Sequence, residues 1–131
     1  MDLILTSYLT GQVDQQRGVK WQADEALLWP LADSCAKYRK KLVILNDCFA
    51  NGLSRGTEFV YSQDTGVNPY FERWIRQRDY LIAHPEVKRA YFVDATDVVM
   101  LYDPFYSMEE GKIYVGDEFD TVGSEWMRII S

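Results

Sequence analysis

Arg89-Ala90-Tyr91-Phe92-Val93-Asp94-Ala95-Thr96-Asp97-Val98-Val99-Met100-Leu101 sets two carboxylates three residues apart in an otherwise apolar run, and Asp103-Pro104-Phe105 closes it. Tyr91 to Val93 read as a buried strand, short, aromatic and β-branched, with no helical period. Asp94 and Asp97 then lie where a strand runs out into a loop, and in open α/β sheets ligands bind outside that carboxyl edge. Two acids so close repel each other unless something positive lies beside them. A divalent cation shared with a pyrophosphate is one such arrangement, because hard cations take oxygen ligands. The plainer arrangement has one Asp capping a turn and the other paired with Lys88 or Arg89.

Working outward, Leu3 to Tyr8 form a first strand that ends in the hydroxyls of Thr6 and Ser7. Asp24 is placed to cap a helix carrying Leu27, Leu28, Leu31, Cys35 and Tyr38 on one face. Pro30 interrupts it, so a bend or a late start is expected. The basic cluster Lys37, Arg39, Lys40 and Lys41 suits the end of that helix. Leu42 to Leu45 form a second, fully apolar strand ending in Asn46-Asp47. Asn51-Gly52 and Arg55-Gly56 punctuate a loop, and Glu58 to Tyr61 form a third strand nearer an edge. Asn68-Pro69 opens the clearest helix. Its core stripe is expected at Phe71, Trp74, Ile75, Leu81 and Ile82, with Arg73, Arg76 and Tyr80 on another face. His84-Pro85 ends it and leaves His84 at the surface. A fifth strand is expected over Ile113–Glu118, and a further helix from Ser124 to Ile130.

The element order predicts an α/β fold, Rossmann-like, with a mostly parallel sheet flanked by helices. Right-handed crossovers bring the ends of the first, second and fourth strands to one edge. Thr6-Ser7, Asp47 and the Asp94/Asp97 pair then converge on one crevice. For each there is a plainer role: Thr6 and Ser7 ending a strand, Asp47 capping a turn, Arg73 and Arg76 as solvated helix charges. Trp21, Trp29, Trp74 and Trp126 read as core or core-edge residues.

With 131 residues, 47% of them hydrophobic, the chain is one domain by length and has ample material for a core. A net charge of −6 without a long basic run argues against a nucleic-acid partner. Two Cys and one His without C-x-x-C spacing argue against zinc. The start Met1 to Leu5 is too short and wrongly charged for a signal peptide, and no stretch reaches membrane-spanning length. The expectation is a reduced, cytoplasmic setting and no membrane span.

With those residues in place, the chain resembles the N-terminal, nucleotide-sugar-binding half of GT-A glycosyltransferases, from the first strand to Val115-Gly116-Asp117-Glu118. Tyr91 to Val99 with Asp103-Pro104-Phe105 looks like the D-x-x-D version of the family's D-x-D motif. The resemblance implies a single domain over 1–131, a partial or minimal GT-A fold lacking the acceptor-binding half. It implies Mn²⁺ or Mg²⁺ held by Asp97, with Asp94 sharing the metal or holding the ribose, and a UDP- or GDP-sugar as donor. Thr6, Ser7 and Tyr8 would contact base and ribose, Asp47 the base, and Arg73 or Arg76 the ribose or phosphates. The cation would neutralise the departing nucleoside diphosphate. The single histidine, His84, precedes the acidic motif, and none of Asp117, Glu118, Asp120 and Glu125 is assigned as a base. Catalytic residues and acceptor stay open. The alternative is a non-catalytic interaction module, or a fragment of the fold that completes itself as a homodimer.

Overall fold

Period-2 alternation decides which layer each strand residue serves. The computed structural model of the protein describes residues 1–14 and 17–115. In β1 (Asp2–Tyr8), Ile4 and Tyr8 face one side of the sheet while Leu3 and Leu5 face the other. In β2 (Leu42–Asn46), Leu42 and Ile44 share the first side, Val43 and Leu45 the second. Both strands are therefore buried on two faces, which explains their unbroken apolar runs.

The sheet has five strands in the order β3-β4-β2-β1-β5, completed by β3 (Gly52–Ser54), β4 (Thr57–Tyr61) and β5 (Arg89–Phe92). β1 pairs in parallel with β2 and β5, β2 in parallel with β4, and β3 antiparallel with β4, so the sheet is mixed. With helices on both faces the protein is a small α/β fold. β3 lies where a loop was expected. Ser54 pairs with Thr57, and the two residues between, Arg55 (φ 52°) and Gly56 (φ 74°), both take positive φ. That is the geometry of a two-residue hairpin turn matched to strand twist.

Asp24 caps as expected, its side chain accepting from the Ala26 N–H, but the first turn is a 3₁₀ helix, Glu25–Leu28. The α-helix proper, α1 (Trp29–Lys37), starts late with Pro30 in its first turn, where no N–H is missed. Leu28, Leu31, Ala32 and Cys35 pack on Ile4 and Ile44. Burial pushes the Cys35 thiol up to about 11, an inert packing group.

The helix α2 (Pro69–Ala83) begins as expected, with Asn68 accepting from the Tyr70 N–H, and His84 follows it. His84 is not simply a surface residue: its ring stacks on Tyr80 with centroids 3.9 Å apart. The expected core stripe is reversed. Phe71, Trp74 and Ile82 are 56%, 50% and 71% exposed, and Ile75 is also exposed, while Glu72, Arg76, Gln77 and Tyr80 are buried. Of the expected stripe Leu81 alone packs inward, against the cluster of Leu3, Leu5, Val43, Leu45 and Tyr80. The cause is Arg76. It donates to Glu72 Oε1 at 3.1 Å, to the carbonyls of Asn46 and Ser62 at 3.3 and 2.9 Å, and to that of Gln63 at 2.8 Å. No other residue on the helix donates to three backbone carbonyls at once, at the end of β2 and in the segment after β4, so Arg76 sets which way α2 faces.

β5 is an edge strand among the described residues and only half-buried, with Phe92 exposed, rather than the buried strand expected. Arg89 faces Asp2 across the β1–β5 ladder and grips it with two bonds of 2.8 and 2.7 Å. It also donates to the carbonyls of Phe105 and Met108, each at 2.9 Å. The Asp-Pro-Phe turn thereby drops Phe105 into the core on the α1 side. Ile113 to Val115 form no strand and are exposed, and the rest of the expected strand to Glu118 lies outside the described residues, as does the Ser124–Ile130 helix. No helix among the described residues is long and apolar enough to cross a membrane.

Two outcomes follow. Arg76→Met strands the Glu72 carboxylate in a buried site and should cost about 3–5 kcal/mol in urea unfolding. The double change Arg76→Met with Glu72→Leu should recover a substantial part, because no unpaired buried charge remains. The second concerns acid. The Lys40 ammonium, 2.9 Å from Asp103, and the Phe105 N–H hold the Asp103 carboxyl below its ordinary value of 3.8. A carboxyl depressed on folding stabilises the fold fully above its unfolded value and loses that contribution as pH falls through its folded one. Asp103→Asn should therefore be less stable than wild type by up to about 1 kcal/mol at pH 7, read by thermal unfolding, and the gap should close as pH falls below 3.8.

Candidate functional site

The chain runs from β1 outward to β2 and β4, then returns across β1 to lay down β5. Strand order thus reverses between β1 and β5, and a crevice opens at their carboxyl ends, where open α/β sheets bind ligands. A cleft of about 130 Å³ lies there, lined by Ser7 and Tyr8 from β1, Asp94 to Asp97 after β5, Tyr70 and Arg73 from α2, and Asp14, Arg17 and Trp21 from the loop after β1.

Of the residues singled out in the sequence, Ser7, Tyr8, Arg73, Asp94 and Asp97 meet in this cleft. Asp94 and Asp97 are 61% and 56% exposed and neither pairs with Lys88 or Arg89. Instead Asp94 Oδ1 accepts from Arg73 Nη1 at 3.2 Å, and Asp97 Oδ2 lies 3.6 Å from Arg17 Nη2. Tyr8 is nearly closed off: its hydroxyl donates to the Gln22 carbonyl and its ring stacks on Phe49. Burial, with the Cys48 thiol nearby adding to it, pushes that hydroxyl up to about 12, so it stays a neutral donor.

Thr6, Asp47 and Arg76 do not line the cleft. Thr6 is fully buried and donates to the Val93 carbonyl at 2.5 Å, fastening β1 to the end of β5. Both oxygens of Asp47 are taken: one accepts from the Thr10 N–H and hydroxyl at 2.8 and 2.9 Å, the other from the Gly11 N–H at 2.8 Å. A side chain at Gly11 would force Asp64 to move, since an added Cβ would sit 2.5 Å from the Asp64 carboxyl carbon. Arg76 serves the clamp described above. These three hold the frame that shapes the cleft.

Sequence reading missed Asp14, Arg17 and Tyr70, and gave Trp21 only a core-edge role. Asp14 is the hub of the loop: it accepts from Trp21 Nε1 at 3.1 Å, from the Tyr70 hydroxyl at 2.9 Å and from the Arg17 N–H at 3.1 Å. Asp14 also bridges to Val19, and Gly18 turns the chain between them with φ 72°. Arg17 lies over the Trp21 ring, 4.9 Å from its centroid. In the sequence, Thr10-Gly11 and Arg17-Gly18 mark no more than a polar loop. A second cleft of about 340 Å³ adjoins the first, sharing Ser7, Arg73 and Asp94 and adding Trp74, Gln77 and Phe92. Gln77 Nε2 donates to Ser7 Oγ at 3.4 Å, whereas Gln77 Oε1 and Arg73 Nε are buried without a partner.

Asp47→Ala tests the framing role. Losing the acceptor of two backbone N–H groups and a hydroxyl should cost about 1–3 kcal/mol. Hydrogen exchange at the Thr10 and Gly11 amides should accelerate selectively. A side chain reserved for a ligand would leave both unchanged.

Comparison with known proteins returned no matching family model, no matching curated protein and no matching solved structure.

Proposed function

We propose that the protein is a donor-binding domain of GT-A type that takes a nucleoside diphosphate sugar together with Mn²⁺ or Mg²⁺, and that the sheet is the Rossmann-like half of that fold. The observation that carries this reading is the meeting of Asp94 and Asp97 with Arg73 and the β1 end in one cleft at the strand-order reversal. Supporting the fold assignment, β4, β2, β1 and β5 run parallel, and the antiparallel β3 is a hairpin on the outer edge.

The donor set suits the group. Two carboxylates supply hard oxygens but not a cage: among the described residues no three His, Cys, Asp or Glu side chains gather as a metal cluster. Mg²⁺-type ions are held in this way, by one or two carboxylates plus substrate phosphates. Asp94 and Asp97 would hold the ion, which when bound supplies charge neutralisation for the leaving diphosphate. The protein's own part is orientation. Arg73, anchored on the rigid α2, presents a guanidinium to phosphate or ribose oxygens. The Ser7 hydroxyl lies between the two clefts, and Trp21 and Tyr70 wall the side where a base or ribose would rest. Transfer of the sugar to an acceptor is the activity this arrangement would serve.

A second reading, an interaction module, is favoured by one observation. Phe71, Trp74, Ile75 and Ile82 on α2, with Phe92 on β5, leave an apolar face uncovered among the described residues. Such a face is typical of a surface that meets another domain or a second copy.

Calorimetric titration with UDP and GDP, with and without Mn²⁺, separates the readings. One nucleotide should bind only with the metal, and Asp97→Ala should weaken it by at least about tenfold, the loss of one charged ligand contact. No binding of either nucleotide to folded protein removes the donor reading and leaves the interaction module.

A further inference from the structure

We propose that Arg17 and Arg73 make capture of the divalent cation and of the diphosphate mutually dependent, with Arg17 guarding Asp97 against a cation that arrives alone. The inference rests on the donor-site reading above and adds to it a residue role and a coupling that the acidic pair does not itself imply.

Three acids, Asp14, Asp94 and Asp97, and two arginines, Arg17 and Arg73, line the cleft, a balance of one negative charge. A divalent cation alone would turn that balance to one positive, and a diphosphate diester alone to three negative. The two together leave it at one negative. Contacts follow the same logic. One oxygen each of Asp97 and Asp94 faces a guanidinium, so a lone cation competes with both arginines, and a lone diphosphate competes with their acids. When cation and diphosphate arrive together, the acids exchange arginine for metal and the arginines exchange acid for phosphate. Every charge keeps an opposite partner.

Arg17 is built for that exchange. Its backbone is fixed by the Asp14 turn, its N–H donating to Asp14 Oδ1 at 3.1 Å and the Gly18 N–H to the Asp14 carbonyl at 2.7 Å. Its guanidinium, by contrast, is 48% exposed and rests over the Trp21 ring, with only long contacts to acids, 3.9 Å to Asp14 and 3.6 Å to Asp97. Such half-exposed pairs are worth little and yield readily to a stronger ligand. Arg73 carries a buried Nε without a partner. An independent sign of an occupant lies beside it: Gln77, 4% exposed, lines the adjoining cleft with its Oε1 unpartnered.

The test uses Mn²⁺, inorganic pyrophosphate and UDP on the whole chain, reading free Mn²⁺ by its electron paramagnetic resonance signal. Association of Mn²⁺ with pyrophosphate or UDP in free solution is measured alongside and subtracted. Wild type should bind Mn²⁺ at least about tenfold more tightly with saturating pyrophosphate, and by linkage bind pyrophosphate more tightly by the same factor with Mn²⁺. Arg17→Gln should bind bare Mn²⁺ several-fold more tightly than wild type, because Asp97 is released, while the coupling factor falls below about threefold. Arg17→Lys should restore much of the coupling. A merely structural Arg17 would weaken metal binding in every state, so tighter bare binding is the diagnostic sign. An unchanged coupling factor in Arg17→Gln, or weaker bare Mn²⁺ binding, overturns the inference and spares the donor site. Coupling seen with pyrophosphate but not with UDP sustains the inference and overturns the nucleotide reading. No Mn²⁺ binding in any state, from folded protein, overturns both.

Discussion

The buried Arg76–Glu72 pair is the constraint on which the rest of the structure depends. Both side chains are 8% exposed, and the guanidinium also answers three carbonyls from the ends of β2 and the segment after β4. A buried ion pair is weak evidence for stability, because desolvating two charges offsets much of their attraction. Its effect here is on orientation. Only one rotation of α2 lets Arg76 reach those carbonyls, and that rotation places every other residue of the helix. Arg73, three positions earlier, arrives at the cleft mouth, and Gln77 reaches Ser7. The apolar residues are left to face outward.

The strands were legible because a sheet interior leaves a simple trace. Leu3 to Leu5 and Leu42 to Leu45 are buried on both faces, and their apolar runs have no other use in a chain this size. Helix starts were legible for a similar reason, since Asp24 and Asn68 each precede a turn whose N–H groups need an acceptor. The facing of α2 was not. Counting apolar positions presumes that the apolar side is buried, and a single arginine with three carbonyl partners reverses it. Nor was β3 legible: Gly52-Leu53-Ser54 has no pattern of its own and owes its pairing to the two positive φ angles at Arg55 and Gly56.

The candidate site divides along the same line. Asp94, Asp97, Ser7 and Arg73 were readable because strand ends and a helix face fix where they go. Asp47 was placed at that edge, but its bonds to Thr10 and Gly11, 37 and 36 residues away in sequence, were not legible. Arg17 and Asp14 belong to a loop whose path depends on a small β-bridge at Val19 and on Tyr70, 56 residues onward. No local pattern announces such contacts.

The two functional readings share one rigid element. Its inward side sets Arg73 and Gln77 against the clefts, and its outward side carries Trp74, which meets Phe92 edge to face at 5.8 Å. Trp74 and Phe92 also line the larger cleft, so whatever covers the apolar face borders the site directly. A covering domain or second copy would close that wall beside Asp94, where lower dielectric strengthens charge contacts. Asp94 and Asp97 are more than half exposed, so the charge contacts they make are screened by solvent. The proposed donor site and the apolar face are thus carried on two sides of one helix.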